Sequence, residues 1–191
     1  MRTPPDLYRA LTPLRHIKRF QQHACIRPIS VAEHSYFVSI LADRYAQSLP
    51  DTVAVDRHRL VVGALYHDAE EAWTGDLPHP AKRLMPEIQR LWEELEGVVR
   101  RHLTEFDYTL LTNVEHALIK LADWAELILY CQEERLSGNG ALDPASDTIK
   151  WLLRGELSTQ FQTLGLKDWY REQVDDLYCP ALLSDRPVYA G

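Results

Sequence analysis

The stretch from Leu111 to Leu136 limits the fold more than any other part of the chain. Its centre, "HALIKLADWAELILYC", is apolar around most of a helical circumference, so the helix it predicts has to be central, with other elements against nearly every side. Three charges interrupt it, Lys120, Asp123 and Glu126, spaced by three and therefore in one stripe. Burying a lone carboxylate costs several kcal/mol or forces it to take up a proton, so Asp123 calls for a partner, and a cation is an obvious one. Lys120 and Glu126 also read, more plainly, as an internal ion pair.

The segments around this helix are helical too, and no convincing period-2 strand is present. A first helix is predicted over Asp6 to about Gln21, with Leu7, Leu11, Leu14 and Ile17 on one face and Pro13 as a point of breakage or kinking. Ser30 and Glu33 fit a capping box, which starts a second helix that ends before Pro50 and puts His34 in its first turn. Asp56 caps a third, "RHRLVVGALYHDAEEAWT", that Gly75 ends and that Pro78 and Pro80 keep from resuming. A fourth runs from about Pro86 to Leu103, one or two follow the central helix between Ala145 and Tyr178, and the last dozen residues read as irregular tail. With no repeat or linker, residues 1–191 read as a single domain: an all-α bundle of six or seven helices, long enough at 46% hydrophobic residues to bury a sizeable core.

Charge and cysteine usage narrow the function classes. Acids outnumber bases 28 to 21, a net charge of −7, which argues against a nucleic acid polymer or an anionic membrane as partner. Cys25, Cys131 and Cys179 are odd in number and form no CxxC, so neither a disulfide framework nor a thiolate zinc site is indicated, and a reducing cytoplasm is expected. No apolar run approaches the length of a membrane span, and the first residues lack the apolar segment of a signal peptide.

The third helix carries the chemistry, in "ALYHDAEEAWTGDLPHP". As helical neighbours His67 and Asp68 stand about 100° apart, so both can turn toward a point between their directions. A metal ion is such a point. His34 and Asp123 from two other helices complete a set of two nitrogen and two oxygen donors, which suits a borderline divalent cation such as Zn, Mn, Co or Fe, whereas carboxylates and water alone suit Mg. Each member is weak evidence alone and the set is much stronger. On the plain reading Glu70 belongs to a solvated helix end, and Arg15, Lys18 and Arg19 to the wet side of the first helix.

Three stretches, "EHS" at Glu33 to Ser35, "YHDAEEAWTGDLPHPAK" at Tyr66 to Lys82 and "IKLAD" at Ile119 to Asp123, resemble the H…HD…D pattern of the HD-domain phosphohydrolases. More narrowly the chain is similar to the YfbR-like 5'-deoxynucleotidases and the related phage dATP triphosphohydrolases, over roughly Leu7 to Glu134. The resemblance implies a single HD-domain helical bundle with His34, His67, Asp68 and Asp123 as metal ligands. It also implies proton-transfer roles for Glu71, which as a helical residue four after His67 would share its face, and for Asp76. Lys82, Lys120 and Arg19 would meet phosphate charge. Phe20 stands where many relatives have tryptophan, a smaller ring without an indole N–H for packing on the sugar or base. The activity implied is metal-dependent hydrolysis of a deoxyribonucleoside monophosphate to deoxynucleoside and phosphate. The alternatives are a triphosphohydrolase that releases tripolyphosphate and, third, a nucleotide-binding module without turnover. Zn, Co or Mn is the expected cofactor, with Mg as a possible second ion, and the resemblance suggests a homo-oligomer.

Overall fold

The computed structural model describes residues 3–76 and 86–178, so Lys82 and the expected tail lie outside the described residues. Helix α1 (Pro4–Leu11) starts at Thr3, whose side chain accepts from the Asp6 N–H, and carries proline in its first turn where no N–H is needed. It does not reach Gln21 as expected. Pro13 sits in a short 3-10 turn over Thr12–Arg15, and beyond it the chain makes one bridge residue at Lys18 and turns over residues 19–22. There the Arg19 N–H donates to Ile29 O at 3.0 Å and the Val31 N–H to Ile17 O at 3.0 Å, so Arg19 is set by pairing with the segment before the next helix, and the Phe20 carbonyl accepts from the His23 N–H at 2.9 Å.

Helix α2 (Val31–Ser48) opens with the predicted capping box: Ser30 Oγ accepts from the Glu33 N–H at 3.2 Å, and Glu33 Oε2 accepts from the Ser30 N–H at 2.7 Å. Asp56 caps α3 (Arg57–Leu65), but that helix stops at Leu65. Residues 66–70 form turns, and a separate short helix, α4 (Glu71–Thr74), follows and ends at Gly75 with φ +73°. After α5 (Pro86–Thr104) comes the long α6 (Asn113–Leu136), capped by Thr112 and Glu115. Helix α7 (Asp143–Leu152) passes through a π-helical segment, Leu153–Leu157, into α8 (Ser158–Thr163), and α9 (Lys167–Leu177) closes the described chain. Among the described residues the architecture is all-α, with one isolated bridge, Lys18 to Ser30, outside the helices.

Helix α6 is central, as its composition required. Leu118, Leu121, Ala122, Ala125 and Ile128 are fully buried against Val38 and Ala42 of α2, Leu60 and Ala64 of α3, and the later Leu153, Leu157 and Phe161. Gly63 lets α3 come close: a Cβ there would lie 3.1 Å from the Ile119 Cδ1 and 3.4 Å from Leu111 methyls. Two carboxylates pin the ends of α6. Fully buried Glu115 accepts from the Thr112 and Asp56 N–H groups, each at 2.8 Å, and from Arg59 Nε and Nη2 at 3.0 and 2.7 Å. At the far end Glu134 accepts from the N–H groups of Ile26 and Arg27 at 2.7 and 2.8 Å. These clasps fix α3 and the loop after Arg19 on the central helix, and with them the elements that carry the ionisable groups.

Candidate functional site

His34 is completely buried in the first turn of α2, and its two ring nitrogens face different acids of α6. Nδ1 lies 2.5 Å from Glu126 Oε2; a carboxylate accepts, so Nδ1 donates and Nε2 is the nitrogen left for another partner. Nε2 is 3.1 Å from Asp123 Oδ1 and 3.8 Å from Asp68 Oδ2. Burial and the nearby Arg19 oppose a charge on this ring, yet the carboxylates of Asp123 and Glu126 outweigh them and push the imidazole up to about 9. Glu126 therefore belongs to His34 and not to Lys120, whose ammonium pairs with Glu156 at 2.7 Å and lies over the Trp124 ring.

His67 and Asp68 come together in a way the sequence did not suggest. They lie in the turn after α3, not on a continuous helix. His67 Nδ1 donates to Ala64 O at 2.7 Å, the carbonyl that another helical turn would give to the Asp68 N–H, so the side chain competes with the helix where the helix stops. That bond leaves Nε2 of His67 facing Asp68 Oδ2 at 3.3 Å and Asp123 Oδ1 at 3.9 Å.

Nε2 of His34, Nε2 of His67 and Oδ1 of Asp123 are all buried, and none completes a hydrogen bond among the described residues. Orphaned polar atoms are costly, and several aimed at one point indicate a missing partner. One ligand atom each from His34, His67 and Asp68 lies within 4.8 Å of the others. Asp123 stands outside that group of three but within reach of both imidazoles, and the four nitrogen-to-carboxylate distances of 3.1 to 3.9 Å are near the spacing of neighbouring ligands on a zinc ion, about 3.4 Å for bonds near 2 Å. Two imidazoles, each with its other nitrogen tied to an acceptor, and two carboxylates are a donor set that fits a divalent cation.

Arg19 and Glu71 border this cluster. Arg19 Nη1 donates to Asp68 Oδ2 at 2.5 Å and lies 3.7 Å from Glu71 Oε1. Burial works against the guanidinium charge, but the acids around it, Asp68 foremost, hold the proton firmly. Arg19 thus lies against this cluster and not on the wet side of a helix. Glu71 is buried at the start of α4, so the expected shared helix face with His67 does not exist, although both residues reach the same region. Burial first, then the Asp68 charge, push the Glu71 carboxyl up to about 10 against the opposing pull of Arg19, and Asp76 adds to the rise. Glu70, expected at a solvated end, is buried and paired with Arg100. Phe20 has φ +56°, rare for an aromatic residue, and stacks on Tyr130 with centroids 5.7 Å apart. It lines, with Arg19, Lys18, Gln21 and His23, a cavity of about 370 Å³.

A family model described as YfbR-like 5'-deoxynucleotidase matches residues 6–160. The 5'-deoxynucleotidase of Vibrio cholerae is 30% identical over 159 residues, which cover 74% of this chain and 82% of that protein. A conserved hypothetical protein of Pyrococcus furiosus superposes with a TM-score of 0.69 at 26% identity, covering 91% of this chain and 98% of its own. The HD phosphohydrolase of cyanophage S-2L, solved with dA and one catalytic Zn²⁺ ion, shares the fold with a TM-score of 0.59 at 20% identity, covering 92% of this chain and 98% of its own.

Proposed function

The chain belongs to the YfbR-like 5'-deoxynucleotidase family, and from that premise we propose that it hydrolyses 2'-deoxyribonucleoside monophosphates to the deoxynucleoside and inorganic phosphate. The observation that carries the reading is the convergence of the orphaned Nε2 atoms of His34 and His67 with Asp68 and with Asp123, bordered by a part-buried arginine and a buried glutamate.

His34, His67, Asp68 and Asp123 are the residues that would hold a divalent cation; mixed nitrogen and oxygen donors favour Zn, Co or Mn, and Mg fits only as a second ion. When bound, such a cation supplies Lewis acidity, polarising a phosphoryl oxygen and making water nucleophilic at neutral pH. Glu126 and the Ala64 carbonyl keep both imidazoles turned with Nε2 inward. Arg19 binds the phosphate: one of its nitrogens, Nη1, sits on Asp68, its planar fork of donors matches phosphate oxygens, and its charge offsets theirs as the α-phosphorus is attacked. As the bond from phosphorus to O5' breaks, the leaving oxygen needs a proton. Glu71 holds one and gives it up, with Asp76 acting on Glu71 through its charge. Phe20 lines the adjoining cavity and packs on the sugar, where contact and the absence of a partner disfavour a 2'-hydroxyl. Lys82 serves as a second phosphate cation from the motif, and Lys120 is left to its pair with Glu156.

The free Cys25 and Cys131 support the cytoplasm as the site of action. One continuous core from α2 to α9 supports a single domain, and apolar side chains left exposed on α2, Tyr36, Phe37 and Ile40, support a homo-oligomer.

The test is turnover of dAMP, AMP and dATP at equal concentration with Zn, Co or Mn supplied, products resolved by anion exchange. Phosphate from dAMP is expected as the fastest reaction. Asp68→Ala is expected to lose both metal and turnover while its helical circular dichroism stays intact. Tripolyphosphate from dATP at the higher kcat/KM would make the chain a triphosphohydrolase, and full metal and rate in Asp68→Ala would remove the site.

A further inference from the structure

His67 and Asp68 stand on a turn, where no helical hydrogen-bond ladder sets their direction, so something else has to hold them. The turn is gripped at both ends by one cluster of side chains. At its end, Glu70 takes a bidentate ion pair from Arg100 of α5, with Nε donating to Oε2 at 2.6 Å and Nη2 donating to Oε1. Both groups are well removed from solvent, with side-chain exposures of 3% and 19%. The Arg100 guanidinium lies 4.7 Å over the ring of Tyr108, and the Tyr108 hydroxyl donates to Gly63 O at 2.5 Å, just before the turn. At its beginning, Tyr66 meets Phe106 edge-on, and Phe106 in turn packs edge-on against Tyr108 with centroids 4.9 Å apart. Tyr108 is therefore common to both grips.

We infer that Arg100 is a positioning residue for the reaction: through its fork on Glu70 and its stack on Tyr108 it sets where the 66–70 turn presents His67 and Asp68. The inference rests on the metal-site reading above. An ammonium would keep the charge but lose the two parallel bonds and the planar stack, so Lys is not equivalent to Arg here. A carboxylate that could be satisfied by any cation would need only charge; a turn that must be held at fixed distance and angle needs the fork.

The experiment uses the full chain loaded with Co²⁺, whose visible absorption reports the geometry of its ligands. Arg100→Lys is expected to shift that spectrum and to lower kcat or cobalt affinity about 10- to 100-fold, the range for residues that orient metal ligands, while KM for dAMP changes less than about threefold and circular dichroism stays native. Glu70→Gln, which keeps the shape and weakens the pair from the other side, is expected to move spectrum and rate the same way. A variant with lowered melting temperature but wild-type spectrum and kcat makes the pair purely structural and overturns the proposal, as does failure of both variants to fold. Wild-type protein that binds no cobalt overturns the metal reading and the positioning role with it; normal wild-type binding with unaltered variants overturns the positioning role alone.

Discussion

Glu71 is the side chain on which the proposed proton transfer turns. Burial, and then the charge of Asp68, push its carboxyl up to about 10, and in the proposed reaction a proton on it would pass to the alkoxide leaving group. Glu71→Gln keeps the shape and removes the transferable proton, so the rate of dAMP hydrolysis is expected to fall about 10²- to 10⁴-fold with metal content near normal, as measured by steady-state kinetics and elemental analysis on the same sample. Metal lost together with activity would make Glu71 a ligand instead. Phe20 holds a left-handed backbone and leans on Tyr130 beside the cavity. Phe20→Ala is expected to narrow the ratio of kcat/KM between dAMP and AMP; an unchanged ratio takes the ring out of substrate selection. Among single residues, His34 and Asp123 were legible because each lies in a helix whose pattern is strong. Glu126 as the partner of His34 was not, because the two are 92 residues apart and local spacing offers Lys120 instead.

Helix boundaries decide the geometry at the next scale, and Glu115 shows how they are held. Burial pushes its carboxyl up, but Arg59, together with the N–H groups of Thr112 and Asp56, outweighs burial and holds it below the ordinary glutamate range. A native pKa below the unfolded one means that the unfolded chain binds the proton more readily. The stabilisation is therefore present in full above the unfolded value, about 4.3, and is lost as pH falls through the lower native one. Glu115→Gln is expected to lose about 1–3 kcal/mol at neutral pH, with the gap to wild type closing in the acid range; urea unfolding at neutral and acidic pH measures both. An equal gap at the two would mean that packing, not charge, is what Glu115 contributes. The same scale exposes the main misreading of the sequence. Periodicity carried the third helix on to Gly75, whereas His67 takes the Ala64 carbonyl for its own Nδ1 and ends the helix at Leu65. A side chain bonded to a backbone three residues earlier leaves no mark on a hydrophobic pattern.

The whole molecule has to bring α2, the turn after α3 and α6 together before four donors can meet. A cation that binds only this assembly stabilises it by mass action. At a hundred times its dissociation constant the gain is about 2.7 kcal/mol, or about 5–10 °C in Tm for a chain of this size. Thermal melts of the metal-loaded protein with and without a chelator are expected to differ by that amount, and Asp68→Ala is expected to show no difference. A wild-type Tm indifferent to the chelator would mean that the four donors do not share an ion.

The sequence by itself determined the all-α class, the central place of α6 and the cap residues that start α2 and α3, and it put forward His34, His67, Asp68 and Asp123 as candidate donors. Period, caps and the cost of a buried charge are local properties that a linear pattern records. Tertiary structure decided the break that turns His67 and Asp68 inward, the bridged turn that brings Arg19 onto Asp68, and the acids that orient or hold the site, Glu126 on His34 and Glu70 under Arg100. Each of these joins residues far apart in the chain or sets a side chain against its own backbone. Such contacts are settled by which surfaces the packed helices bring together, and that information is carried by the fold and not by neighbouring letters.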